Sequence, residues 1–292
     1  MPAGRKNWYN YSMITVLIAI AVASGVFVAF HLAVGLGLGW SITLGIVSFI
    51  AFQALVGMWL RKRVLRDMER VQTILVDGQK KLQAKTQTWQ WRPPSSIAAA
   101  QKEIFEDTKV FVKEALAQTE VLRKYRLWVP MIDRQMATAQ LQLNWMVKNF
   151  KRVDELMPKA LMMDPAMVAM KLARLQMLNA PTAEITQAYE KNVRKFKYNQ
   201  AVLPAACYTW ILVKRGETEK DEAKKAAYFD AAFKALTAAL KNSDNEVLKA
   251  NHVHLMNDRP AHFTNSGLGD SWYSLFLEEP KVKMQRQRSV YR

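Results

Sequence analysis

From Asn7 to Leu60 the chain carries no Asp, Glu, Lys or Arg in 54 consecutive residues, and His31 is the one ionisable side chain there apart from tyrosines. About 20 apolar residues cross a bilayer core, so this run is long enough for two membrane helices joined by a tight turn. The pattern predicts the first helix over 11–34 and the second over 40–60. Between them Gly35, Gly37 and Gly39 alternate with Leu36 and Leu38, which breaks the helix without adding a polar loop. Trp8, Tyr9 and Tyr11 at one end and Trp59 at the other fall where interfacial aromatics belong, and Trp40 marks the turn side. The apolar core is too long for a cleaved signal peptide, and no small-x-small site precedes a polar start. The Gly-x-Gly-x-Gly spacing lacks the strand and downstream acidic residue of a nucleotide loop, so it reads as a turn.

Beyond Leu60 the pattern turns charged with no helix breaker. Val64, Leu65, Met68, Val71, Gln72 and Leu75 recur at helical spacing, which predicts an amphipathic stalk running on from the second membrane helix to about Gly78 or further. Its basic residues Arg61, Lys62, Arg63, Arg66 and Arg70 are the expected membrane-surface contacts, each contributing on the order of 1 kcal/mol against anionic lipid. With Arg5 and Lys6 before the first helix, the basic flanks put both termini in the cytoplasm, with the chain integral to a membrane such as the bacterial inner membrane. Pro93-Pro94 and Ser95-Ser96 then interrupt the pattern. The expected organisation is a transmembrane hairpin over 1–60, a stalk and Trp/Pro linker over 61–94, a helical domain over 95–257, and a C-terminal cap with a basic tail over 258–292. Trp89 and Trp91 in the linker are expected to dock on the following domain or to dip into the membrane interface.

From Ile97 to about Met256 the apolar spacing is helical, so the fold class is all-α. Breakers at Pro130, Asp164-Pro165, Asn179 to Pro181, Asn199 to Pro204, Gly216 and Asn242 to Asn245 leave helix-sized segments. Three of these breaks are 35 and 44 residues apart, near the period of helical-hairpin repeats. The stretch from Lys148 to Pro165 resembles the second half of a tetratricopeptide repeat. Phe150 opens the helix, Val153 is the small position, Leu156 or Met157 the bulky one, then come Ala160 and the closing Asp164-Pro165. Tyr228 to Asn242 is a weaker echo. Leu141 and Asn144 stand where that family has glycine and tyrosine, and Pro158 is expected to kink the second helix.

The resemblance implies a degenerate α-solenoid over about 130–257 with a concave face for peptide partners. In that family the first helix of each pair lines this face, which makes Arg134, Lys171, Arg174 and Lys214 the candidate partner-binding residues, suited to an acidic or carboxylate-ended peptide. Two membrane helices followed by such repeats is also a layout similar to that of the HemY family of inner-membrane proteins; no activity follows from layout.

Charge and chemistry narrow the picture further. The net charge of +17 divides into +2 over 1–60, +6 over 61–94, +4 over 95–280 and +5 over the tail, so the helical body is nearly balanced. That favours orientation and anionic lipid over nucleic acid as the meaning of the charge. The one cysteine, Cys207, lies in an apolar stretch without a charged neighbour and reads as a buried structural thiol. His252 and His254 are two apart and point away from each other on a helix, which argues against a shared metal. No phosphate loop, serine elbow or kinase signature is present. Neither an enzyme nor a cofactor is expected. The leading expectation is a membrane-anchored adaptor or scaffold with protein partners; an accessory subunit of a larger membrane complex and a membrane-tethered nucleic-acid binder are the alternatives.

Overall fold

The computed structural model describes residues 13–35, 37–89 and 91–280. Arg5, Lys6, Trp8, Tyr9, Tyr11, Leu36 and the basic tail 281–292 lie outside the described residues. All regular structure among the described residues is helical. Two compact units follow one another, 1–160 and 161–292.

The first unit opens with α1 (Met13–Val28), which runs on through a π turn (Ala29–Ala33). Gly35 at φ +69° ends it, a left-handed conformation that glycine adopts without steric cost. After the turn comes α2 (Leu38–Thr88), a single helix of 51 residues, about 76 Å at 1.5 Å per residue. Among the described residues two helices are long and apolar enough to cross a membrane, Ile14–Ala33 with mean hydropathy 2.4 and α2 with 1.9 in its apolar stretch. They pack through small residues. Ala19 and Ser41 are fully buried, and a Cβ on Gly45 would sit 3.4 Å from the Ala23 carbonyl oxygen. Leu17, Ile46, Ile50 and Leu55 on the outer faces are exposed.

α2 does not stop at Gly78. The helix carries on for ten residues, and Gly78 serves packing instead of termination, because Phe111 of α3 (Ile97–Glu120) lies on it. α3 starts where Ser96 accepts the Ala99 N–H at 3.1 Å, just after the prolines that no helix can continue through. It returns antiparallel along α2. Lys85 pairs with Glu103 at 2.6 Å and Asp107 at 2.5 Å, Gly78 meets Phe111, and Asp67 meets the 3₁₀ turn Val121–Tyr125. The face of α2 buried in this hairpin therefore includes Leu60, Val64, Asp67, Val71 and Gly78, while Leu65 and Gln72, which the apolar pattern had also placed there, face outward. The Pro93-Pro94 turn joins these two helices within the first unit.

α4 (Ile132–Met146) packs on α3, where the Gln140 amide donates to Thr119 Oγ1 at 3.2 Å and to Glu120 at 2.8 Å. α5 (Phe150–Leu156) ends before Pro158, which therefore kinks nothing. Val153 and Leu156, two of the repeat-like positions, are buried.

The second unit begins with α6 (Pro165–Met177). Asp164 caps it by accepting the Ala166 N–H at 2.8 Å, with Pro165 at the first helical position, where the missing N–H costs nothing. α7 (Thr182–Val193), α8 (Val202–Thr218), α9 (Glu222–Leu240) and α10 (Glu246–Met256) follow. α6 packs against both α7 and α8, and α8 against α7 and α9. Two expected breakers lie inside α8. Pro204 is in its first turn, and Gly216 is in its last, where Phe229 of α9 approaches so closely that a Cβ would lie 2.8 Å from the ring.

The chain then doubles back along α8 and α10 to a short helix, α11 (Asp270–Tyr273). Buried Asn265 donates to the Ala206 carbonyl at 2.9 Å and accepts from Asn251 at 2.9 Å, tying this segment down. Trp272 and Leu275 are fully buried.

Candidate functional site

Two surfaces carry the residues singled out by the sequence. The first is the collar after Leu60. Arg61, Lys62, Arg63, Arg66 and Arg70 are all exposed on α2, on the faces turned away from α3. Arg63 lies over the Trp59 ring at 3.9 Å from its centroid, a cation–π contact that fixes a guanidinium beside the last apolar turn. Arg70 pairs with Asp67 at 3.3 Å.

Asp67 itself is buried among these cations. It accepts from Lys124 Nζ at 2.8 Å and from the Tyr125 hydroxyl at 2.9 Å. Burial works to raise its pKa, but the hydrogen bonds from Lys124 and Tyr125 and the charges of Lys124 and Arg70 outweigh it, so the carboxyl is held below its usual value. The same pairing holds the Lys124 ammonium above its usual range. The position had a sequence signal: Asp67 falls three after Val64 and four before Val71, where an apolar residue belongs.

The second surface is a cleft of about 710 Å³ in the second unit, lined by Gln176, Trp210, Lys214, Arg215, Glu217 and Tyr228 among others. Of the four expected partner-binding residues Lys214 alone lines it. Lys171 and Arg174 are half-buried on α6, and Arg134 is half-buried on α4 of the first unit. Lys214 donates to Glu217 at 2.8 Å and stands 6.0 Å from the Trp210 ring centroid, so its charge already has a carboxylate partner.

Arg215, which the sequence did not single out, does the structural work in this cleft. Its guanidinium donates to Gln176 Oε1 at 2.9 Å, Thr182 Oγ1 at 2.7 Å and the Ala180 carbonyl at 2.7 Å, locking the α6–α7 turn to α8. A second unforeseen group reaches Trp210, one of the cleft-lining residues. Glu278 accepts the indole N–H of Trp210 at 2.9 Å and of Trp272 at 2.7 Å, and the two rings meet edge to face at 5.7 Å. Local spacing does not announce the long-range contacts, because the partners of Arg215 lie 33 to 39 positions away and Trp210 lies 68 from Glu278; Trp272 alone is near, six positions before Glu278.

The remaining chemistry-bearing side chains are engaged in packing. Cys207 is fully buried, burial pushes its thiol pKa up, and its sulfur faces the Ala169 carbonyl at 3.6 Å. His252 stacks on Phe233 and shares a 2.9 Å hydrogen bond with Thr237, whereas His254 stacks on His262. Among the described residues no group of three His, Cys, Asp or Glu is placed to hold a metal ion. Set against protein-family models, curated proteins and solved structures, the chain matches none.

Proposed function

We propose that this chain is a membrane-anchored helical scaffold that holds protein partners at the cytoplasmic face of a membrane, a bacterial inner membrane being the setting that the layout fits best, with both termini cytoplasmic and without catalysing a reaction itself. The observation that carries this reading is α2. One helix holds an uncharged apolar half with exposed outer faces and a polar half that forms the hairpin core with α3, so the anchor and the α2–α3 hairpin share one continuous helix. A continuous helix suits a protein whose task is to keep a polypeptide-binding domain attached to a bilayer.

In the helical body, the pairs α4/α5, α6/α7 and α8/α9 and the Asp164-Pro165 start of α6 support a degenerate solenoid of the tetratricopeptide type, whose stacked pairs offer an extended binding face. On this reading the cleft at Lys214 is the partner-binding surface, and the collar from Arg61 to Arg70 attends to anionic lipid.

A second reading is an accessory subunit of a larger membrane complex. It draws on Gly25 and Gly57, which the α1/α2 interface does not use: nothing lies within 4 Å of a Cβ built on either, so both leave shallow faces for other membrane helices.

Native extraction in mild detergent, with a photo-crosslinking residue at Lys214, tests both. Crosslinks from Lys214 to a soluble polypeptide, absent from the same probe at exposed Val110, support the scaffold. A stoichiometric assembly with other membrane proteins and no crosslink at Lys214 supports the subunit. Complete release of the full chain by alkaline carbonate would overturn both.

A further inference from the structure

We infer that the loop from Arg126 to Met131, between the 3₁₀ turn and α4, is a second membrane contact that rests in the lipid headgroup region beside Trp59. The inference depends on the reading that the apolar half of α2 spans a bilayer.

Register sets the loop's height. Along the α2–α3 hairpin, Lys85 lies opposite Glu103 and Asp107, Gly78 opposite Phe111, and Asp67 opposite Lys124 and Tyr125. Each step towards the membrane half of α2 is matched by a step towards the end of α3. Continuing that register brings the next residues level with Leu60. The packing agrees, because Leu60, Val64, Leu122, Tyr125 and Ile132 form one buried cluster, and both Val56 and Val129 pack against it. Val56 is inside the uncharged run.

At that height the loop presents a surface unlike that of a water-soluble turn. Leu127, Trp128 and Met131 are exposed at 45%, 38% and 52%, three large apolar side chains within five residues. The loop is well fixed: the Trp128 and Val129 N–H groups donate to the Tyr125 carbonyl at 2.9 Å each, and Met131 takes a left-handed conformation at φ 62° to start α4. At the same level of α2 the exposed Arg61, Lys62 and Arg63 complement anionic headgroups, as does exposed Arg123 just before the loop. Tryptophan beside a basic ring is the arrangement that the bilayer interface favours, and Trp59 with Arg63 provides it on α2 at the same level. By contrast Trp91, 86% exposed at the far end of α2, is about 40 Å of helix beyond Leu60 and out of reach of the same interface.

The occupant of this patch is therefore the lipid surface. With two legs on the membrane, the α1/α2 hairpin and this loop, the α2–α3 hairpin is fixed against turning about the α2 axis.

The test uses the full chain in vesicles of phosphatidylcholine and phosphatidylglycerol, with one added cysteine at exposed Leu127, Ile50 or Val110 carrying a nitroxide; native Cys207 is fully buried. Collision with lipid-soluble oxygen against a water-soluble nickel chelate reports depth. The expected order is Ile50 deepest, Leu127 shallow but within lipid, and Val110 in water. If Ile50 is in lipid and Leu127 matches Val110, the loop inference falls while the anchor stands. If Ile50 reads as aqueous, both fall. As a second readout, lipid brominated near the headgroup should quench the fluorescence of the unmodified chain more than that of Trp128→Phe; equal quenching overturns the inference.

Discussion

Tyr125 donates its hydroxyl proton to Asp67 across 2.9 Å in a buried position, and so joins the end of the α2–α3 hairpin to α2 two turns past the uncharged run. Removing that acceptor leaves the Tyr125 hydroxyl buried without a partner and frees the Lys124 ammonium from its anchor. Asp67→Ala should cost about 1–3 kcal/mol, the penalty of an unsatisfied buried donor. Asp67→Asn, which keeps the shape and one carbonyl acceptor, should cost less. Thermal unfolding followed by circular dichroism in detergent micelles measures both, and equal stability of all three proteins would contradict the role given to this carboxylate.

The same group makes a pH prediction with a definite sign. Because the folded state holds the Asp67 pKa below its ordinary 3.8, the folded state binds this proton less readily than the unfolded chain does. Its contribution is complete above the unfolded value and is lost as pH falls below 3.8 through the lowered native value. Asp67→Asn should therefore reduce the fall in unfolding temperature on acidification below pH 4, while leaving the neutral-pH slope unchanged. A wild-type slope in the variant would mean that other carboxylates carry the acid sensitivity.

Gly78 and Phe111 provide a steric test of the hairpin. Alanine is favoured over glycine inside a helix by about 1 kcal/mol, so on propensity alone Gly78→Ala should stabilise α2. Against this, the new Cβ would lie 2.4 Å from Phe111 Cγ, and forcing extra volume into a packed contact costs about 1–3 kcal/mol. The expected net effect is a loss of stability, largely relieved in the double variant with Phe111→Leu. A Gly78→Ala protein that melts higher than wild type would show that α3 is free to shift away from α2.

These contacts mark how far the sequence could be read. The uncharged run and the Asp164-Pro165 cap are local, and backbone chemistry ties them to the residues that carry them, whereas Pro158, expected to kink a helix, stands just beyond the end of α5. Gly216 looked like a helix end because glycine is a poor helix former, and the stalk was expected to run to about Gly78 or further; both glycines are helical, and each makes room for a phenylalanine from a neighbouring helix. Asp67 was counted among the charges of the stalk although its spacing places it on the buried face. Arg215 and Glu278 were not legible at all, since their partners are set by tertiary packing. Of the four expected groove residues, all assigned by repeat position, Lys214 lines the cleft and the other three do not, because a resemblance in helix spacing does not specify which side chains turn towards a common surface.

Cys207 gives a direct reading of burial in the second unit. With its thiol fully buried and its pKa raised by that burial, it has neither access nor thiolate character at neutral pH. Modification by an aromatic disulfide reagent should be negligible in the folded chain and complete in denaturant, with a native rate governed by opening of the α6–α8 packing. Prompt stoichiometric labelling of native protein at pH 8 would place α8 at a surface instead of in the core.

Glu278 carries the last prediction, because one carboxylate there satisfies two indoles. The Trp272 ring is fully buried, so its N–H has no water to fall back on, and the Trp210 N–H shares the same acceptor group. Glu278→Ala leaves both donors unpaired and should cost about 2–4 kcal/mol, taking each unsatisfied group at the lower half of its usual range. Glu278→Gln retains one carbonyl oxygen and should fall between. Because the lost bonds hold the end of the chain to α8, the loss should show first as faster proteolysis between residues 258 and 280 and as a shift in tryptophan emission, ahead of global unfolding. Cleavage at the wild-type rate in Glu278→Ala would mean that Asn251 and Asn265 alone hold this segment, and that the shared carboxylate contributes little to holding it.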